Sequence, residues 1–326
     1  MKVVLTLLVR DEADILDEHL TFHLNAGVAF VVATDHRSQD GTTDILEAYA
    51  QSGVLRLLRE DEERIRQSEW MTRMARLAAE EHGADWVLSS DADEFWWPRA
   101  GSLEEALASV PDGFGTVRGF SQSFVPVRGP GSFAERMTVR LSAVAAINDS
   151  ATSFRPVSKV AHRAHPRSLV GQGNHAAFVP GRPELPGWHP FELLHFPLRS
   201  AEQVARKHRN TLAAWRRNLR GDLARARAIS EVGAAEAFYE RVALSAEEVE
   251  RGLAHGLLVE DTRLRDALTA IRGGAPTPFA VPSVRDRARH AAELGSLFDA
   301  ELVRARRRLD ELAQRVAARE AVSARR

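Results

Sequence analysis

Asp91 and Asp93 stand two residues apart where an apolar stretch ending at Ser89-Ser90 gives way to polar chain. In extended backbone, residues i and i+2 face the same way, so both carboxylates are expected to reach one point. Paired hard oxygen donors suit Mg²⁺ or Mn²⁺. An ion held there would bridge the phosphates of a nucleotide diphosphate and neutralise charge on a departing diphosphate. The plainer reading is a pair of acids opening a solvated loop. Against it, Phe95-Trp96-Trp97-Pro98 follow at once, and acids wedged between a buried strand and aromatics are costly unless a cation compensates them.

Two further polar clusters end apolar runs: Arg10-Asp11-Glu12 and Asp35-His36-Arg37-Ser38. Lys159 and Lys207 are two of three lysines in a chain whose positive charge is otherwise arginine. A flexible point charge suits phosphate, with ordinary surface cations as the alternative. Arg199 and Lys207 lie near the start of a predicted helix, where free N–H groups favour anions. Trp96, Trp97, Trp188 and Phe191 read either as a platform for a sugar ring or as plain core.

The elements that must position these groups alternate. Val3–Val9, Val28–Thr34, Val54–Leu58 and Asp85–Ser90 have strand length and apolar content. Between them lie helices: one capped by Asp11 or Asp14 and stopped at Gly27, Thr43–Ser52, and Gln67–His82 with an apolar face of Met71, Met74, Ala75, Leu77 and Ala78. Asp40-Gly41-Thr42 reads as a turn and helix start, and Ser102-Leu103-Glu104-Glu105 as a capping box. Strands separated by helices imply parallel pairing with right-handed crossovers, helices on both faces, and ligands at the carboxyl ends of the strands. The three polar clusters fall at those ends. Beyond residue 112, Gly113–Phe120, Ser123–Val127, Thr138–Ala145, Val157–His162 and Phe191–Phe196 read as shorter strands. From Ala201 the chain is helical, with a Gly273–Pro282 linker and a last helix from Ser283.

The 326 residues, 44% hydrophobic and 27% charged, suffice for a large core and exclude a disordered chain. A formal net charge of -1 argues against a nucleic-acid-coating protein. With no cysteine, thiolate metal sites, disulfides and cysteine nucleophiles are excluded. No apolar run is long enough to span a bilayer. The N-terminal run reads as a strand rather than a signal peptide, so a cytoplasmic protein is expected.

Leu8-Val9-Arg10-Asp11-Glu12, Asp35 to Thr42, and Asp85 to Phe95 with its Asp91-Ala92-Asp93-Glu94-Phe95 box together resemble the motifs of family 2 glycosyltransferases, over about residues 1–210. Asp11 and His36 stand where that family commonly has Asn. The resemblance implies an α/β GT-A fold, a Rossmann-like sheet with helices on both faces. It divides the chain into a transferase domain over 1–200 (a nucleotide-binding half, 1–112, and an acceptor half, 113–200), a helical extension over 201–272 and a C-terminal helix over 283–326. It implies a metal-dependent transfer of sugar from a nucleotide-diphosphate donor to an acceptor hydroxyl, with inversion.

By the same resemblance, Arg10 and Glu12 sit beside the nucleoside and Asp35 bonds the base or ribose. Asp91 and Asp93 hold the ribose–diphosphate–metal unit, and His195 returns to the acidic box as a further ligand of Mn²⁺ or Mg²⁺. His175, in Gly171-Gln172-Gly173-Asn174-His175, becomes a candidate for diphosphate or acceptor contact, and Arg199, Lys159 and Lys207 for donor binding. Inversion asks for a carboxylate base, for which Glu94, Asp149, Glu184 and Glu192 are all open. A glycan, a lipid-linked glycan or a small molecule fits as acceptor. Competing readings are a non-catalytic nucleotide- or sugar-binding protein of the same fold and a sugar nucleotidylyltransferase; the latter wants a Gly-rich basic loop that the N-terminus lacks. A dinucleotide dehydrogenase lacks its Gly-rich turn, and an aspartate phosphatase would carry its acids after the first strand. The tail from Glu301, with Leu302, Leu309, Leu312 and Val316 on one face, reads as a solvated or self-pairing helix, or as one resting on the inner face of a membrane.

Overall fold

Six apolar residues and Thr6 make up β1 (Val3–Val9), a strand buried at every position but the half-buried Leu8, as a strand between two parallel neighbours must be. The computed structural model describes residues 1–142, 154, 156–218 and 232–275, with residues 211–218 and 232 described as backbone only. After β1 come α1 (Leu16–Asn25), β2 (Val28–Asp35), α2 (Thr42–Gln51), β3 (Leu55–Arg59), α3 (Gln67–Glu80) and β4 (Trp86–Ser90). Next are β5 (Glu94–Pro98), α4 (Leu103–Ala108), β6 (Thr116–Ser123), α5 (Phe133–Arg136), β7 (Val139–Leu141) and β8 (Ser158–Arg163). Then follow β9 (Leu169–Val170), a short 3₁₀ turn Gln172–Asn174, β10 (Ala177–Phe178), β11 (Phe191–His195), α6 (Ala201–Asn218), α7 (Val232–Val242), α8 (Ala246–Ala254), β12 (Leu258–Glu260) and α9 (Arg263–Arg272).

Among the described residues the main sheet has eight strands in the order β3-β2-β1-β4-β8-β6-β11-β5. The first four are mutually parallel, and β8 runs antiparallel between β4 and β6. On one face α1, α2, α4 and α9 pack with Leu16, Leu20, Leu46, Leu103, Leu264 and Leu268. On the other, Met71, Met74, Ala75 and Ala78 of α3 cover Val4, Val32 and Val87. This is the α/β arrangement expected, with helices on both faces, although β8 and β5 make the sheet mixed rather than wholly parallel. Ser102 and Glu105 form the foreseen capping box at α4. No helix among the described residues is long and apolar enough to cross a membrane.

Two local expectations are corrected. Neither Asp11 nor Asp14 caps α1; its first residue follows Ile15 with no side-chain cap. Asp11 takes a left-handed backbone and both oxygens of Asp14 are held by Arg199, a two-bond guanidinium–carboxylate pair that takes the place of a cap. Ser123–Val127 is not a separate strand: β6 runs through Ser123, and Phe124 and Val127 make only isolated bridges. Of the two readings of Trp96 and Trp97, plain core holds: with Phe95 they form the middle of β5, a fully buried edge-position strand antiparallel to β11. Phe95 stacks on His23 and Phe133 and meets Phe22 and Phe196 edge-on, a burial that contributes about 3 kcal/mol. Gly273–Pro282 is described only to Ala275, and the tail helix lies outside the described residues.

Candidate functional site

The carboxyl ends of β1, β2 and β4 deliver their polar clusters to one edge of the sheet, where β11 and the first turns of α6 join them. The chain does not stay extended through the acidic box. Glu94 N–H bonds Asp91 O at 3.1 Å, a turn that reverses the chain from β4 into β5. Asp91 and Asp93 are therefore not related by strand alternation, and different partners receive them.

Asp91 accepts from Lys159 Nζ on β8 and from Asn174 Nδ2 at 3.1 Å. Asp93 accepts from Lys207 Nζ on α6 at 2.6 Å, and its Oδ1 lies 3.7 Å from His195 Nε2. The register places His195 directly across from Glu94 and beside Ser123. Ser123 Oγ sits 3.0 Å from His195 Nδ1. With Nδ1–H donating there, the Nε2 lone pair is turned toward the acids, the usual outer support of a metal-binding imidazole.

Among the described residues Asp93, Glu94 and His195 form a group whose ligand atoms all lie within 4.8 Å of one another. Glu94 is buried, and its Oε2 has no hydrogen-bond partner. A buried carboxylate oxygen left unpaired is expensive. Burial pushes the Glu94 carboxyl up to about 7, against the pull of Lys159. Asp93 goes the other way: although burial opposes it, the Lys207 ammonium holds it well below the usual carboxylate range. Two carboxylates and an imidazole with one oxygen unsatisfied are a donor set that fits Mn²⁺ or Mg²⁺.

Arg199, buried just before α6, is committed to the protein. It bonds Glu12, both oxygens of Asp14 (2.7 and 2.9 Å) and Phe196 O (3.0 Å). Glu12 is thereby tied to the α6 end of the site, while burial raises its pKa. Arg10 is half-buried, its Nε 3.9 Å from Asp11. Asp35 accepts from Ser38 N (3.1 Å) and Thr43 Oγ1 (2.5 Å), and His36 donates from Nε2 to Glu62 O. Asp40 accepts from Thr42 and Ala13 N–H groups, which bears out its reading as a turn and helix start. Beside these lies a polar cavity of about 590 Å³ lined by Asp11, Asp14, Asp40, Glu202, Arg206 and Asn210 among others.

His175 sits near Asp91 with Nδ1 2.6 Å from Ser158 O. Glu184 is paired with Arg118 of β6. Glu192 is fully buried between Arg99 (3.1 Å) and Arg263 (2.6 Å). It stands three residues before His195, roughly 10 Å back along the strand. Asp149 lies outside the described residues.

Sequence reasoning missed Asn174 as the second holder of Asp91. Its signal was present in the flanking glycines: Gly173 and Asn174 both take positive φ (71° and 59°), and a Cβ on Gly173 would lie 2.5 Å from the His175 ring. It also missed Arg206 and Asn210, which bond Asp11 O (3.1 Å) and Asp11 Oδ2 (2.6 Å). On a helix rich in Arg nothing in composition singles them out.

No family model matches the chain, and no curated protein sequence matches it. Among solved structures it is similar to S. aureus TarS 1–349, with a TM-score of 0.32 and 14% identity over 85% of this chain and 88% of that one. The same protein in complex with UDP-GlcNAc gives 0.33 and 13%, over the same shares. Glucosyl-3-phosphoglycerate synthase from Mycobacterium tuberculosis, in complex with Mn²⁺, UDP and phosphoglyceric acid, gives 0.26 and 20% over 41% of this chain and 45% of that one.

Proposed function

We propose that the chain is a metal-dependent glycosyltransferase that moves a sugar from a nucleotide-diphosphate donor to an acceptor hydroxyl with inversion. The observation that carries this is the buried, unpartnered Glu94 Oε2 grouped with Asp93 and His195 at the carboxyl ends of the parallel strands of the sheet, where α/β proteins bind ligands. The ordered motifs at the ends of β1, β2 and β4 support it.

Mn²⁺ or Mg²⁺, held by Asp93, Glu94 and His195, would offset charge on the departing diphosphate. The remaining residues position and polarise. Lys159 fixes Asp91, and Asn174 orients it. Arg199 locks Glu12 and Asp14 so that the β1 end keeps its shape. The acceptor oxygen forms its bond to the anomeric carbon as the glycosyl–phosphate bond breaks, the diphosphate leaving with the electron pair. A carboxylate takes the hydroxyl proton. Of the candidate bases, Glu184 and Glu192 are spent on arginines and Glu94 would be held on the cation, which leaves Asp149, outside the described residues, as the remaining one of the four.

A thermal-shift panel of nucleoside diphosphates, with and without Mn²⁺, tests the reading on the wild type and on Asp93→Ala. Binding to the native state raises stability by about 2.7 kcal/mol at a ligand concentration 100 times Kd. One base should raise the wild-type midpoint only with Mn²⁺, and Asp93→Ala should abolish that rise and donor turnover. A panel with no Mn²⁺-dependent shift would overturn the assignment.

A further inference from the structure

The two lysines at the acidic edge are held in different ways. Lys159, on β8, has 4% of its side chain exposed, and its ammonium spans Asp91 and Glu94, the latter at 3.4 Å. Lys207, on α6, is 44% exposed and reaches Asp93 Oδ2. One is an internal strut between two acids; the other is an arm from solvent onto the carboxylate that also belongs to the Asp93–Glu94–His195 group.

The helix under Lys207 is pinned on either side of it. Arg206 bonds Asp11 O at 3.1 Å and pairs with Asp14 and Asp40, Asn210 bonds Asp11, and Gln203 bonds Pro197 O and Arg199 N–H. The backbone is therefore fixed while the four-carbon stem of Lys207 can re-aim its three donors. A divalent cation on Asp93 would put a second positive charge against the Lys207 ammonium, and a diphosphate beside it would offer that ammonium new acceptors.

We propose that Lys207 is an exchangeable diphosphate ligand: it rests on Asp93 and moves onto the donor's diphosphate as cation and donor bind, so that the two bind with positive coupling. Lys159 stays in place. This rests on the cation site proposed above. Because coupling is reciprocal, the factor by which the diphosphate tightens cation binding equals the factor by which the cation tightens diphosphate binding.

The test is calorimetric titration of Mn²⁺ into wild type, Lys207→Met and Lys207→Arg, alone and with the nucleoside diphosphate selected by the panel. Displacing a charge-assisted hydrogen bond sets the scale at about tenfold or more. Lys207→Met should bind Mn²⁺ alone about tenfold tighter than wild type, and its coupling to the diphosphate should fall by a similar factor. Lys207→Arg, which keeps the charge, should retain the weak binding of Mn²⁺ alone, which separates removal of charge from damage to α6. Equal or weaker Mn²⁺ binding by Lys207→Met, or undiminished coupling, overturns the exchange and leaves the cation site standing. Failure of all three proteins to bind Mn²⁺ overturns both.

Discussion

At the scale of single residues the site is a matter of which charge compensates which. Asp91, Asp93 and Glu94 carry three carboxyls in four residues, and Lys159 and Lys207 supply two ammoniums, leaving Glu94 the unsettled member. Burial raises its pKa from 4.5 to about 7. For a group raised on folding, the stability attached to its neutral form is present in full below 4.5 and is lost as pH rises through about 7. Glu94→Gln keeps the shape without the buried charge. Its melting temperature should therefore match wild type near pH 4 and exceed it by ~2–5 °C at pH 8, measured by calorimetry without metal. Saturating Mn²⁺ at pH 8 should close the gap by stabilising wild type more. A variant less stable than wild type at pH 8 would mean that the Glu94 carboxylate is satisfied in the fold. Part of this was legible beforehand. The scarcity of lysine in an arginine-rich chain marked Lys159 and Lys207, and the Asp-Ala-Asp-Glu spacing marked the acids. Their pairing was not legible, because it depends on a turn at Asp91–Glu94 and on a helix over a hundred residues away.

At the scale of elements, the loop that brings Asn174 to Asp91 is anchored on α3. Val170 N–H bonds Thr72 Oγ1 at 2.9 Å, Ser68 Oγ donates to Val170 O at 2.5 Å, and Gly173 N–H bonds Gln67 Oε1 at 3.1 Å. Arg118 of β6 grips the far side through His175 O and Ser158 Oγ, both at 2.8 Å. Thr72→Val preserves volume and helix but removes the acceptor for the Val170 amide. It should cost about 1 kcal/mol, speed amide exchange at Val170, and weaken binding of the Mn²⁺–nucleoside diphosphate pair. Unchanged exchange at Val170 would show that α3 does not hold the loop. The α3 apolar face was readable from its helical spacing, but its polar anchors were not, since Gln67, Ser68 and Thr72 look like ordinary solvent-facing positions. The same limit hid β5. Strands β1 to β4 declare themselves by local apolar runs, whereas β5 exists because β11, almost a hundred residues later, returns to pair with it.

Across the molecule, the end of the described chain is joined to the sheet by buried charge as well as apolar contact. Glu192 on β11 sits between Arg99 and Arg263; Arg263 also bonds Asp261 at 2.7 Å and lies over the Trp97 ring; Asp261 holds Arg140 of β7 at 3.1 Å. Leu264, Ala267 and Leu268 of α9 enter the same apolar cluster as β1 and β5. Glu192 thus has two roles to separate: one of the carboxylates offered by the sequence as a base, and the hub of a network that fastens α9. Removing one member of a buried ion pair leaves its partners uncompensated and costs ~3–5 kcal/mol. Glu192→Gln should therefore lower the urea midpoint clearly, while the folded fraction keeps its Mn²⁺-dependent nucleotide binding and its transfer rate. Its carboxylate lies roughly three strand residues, about 10 Å, behind His195 and both oxygens face arginines. Loss of transfer with no loss of stability would return Glu192 to the chemistry and take it out of the scaffold.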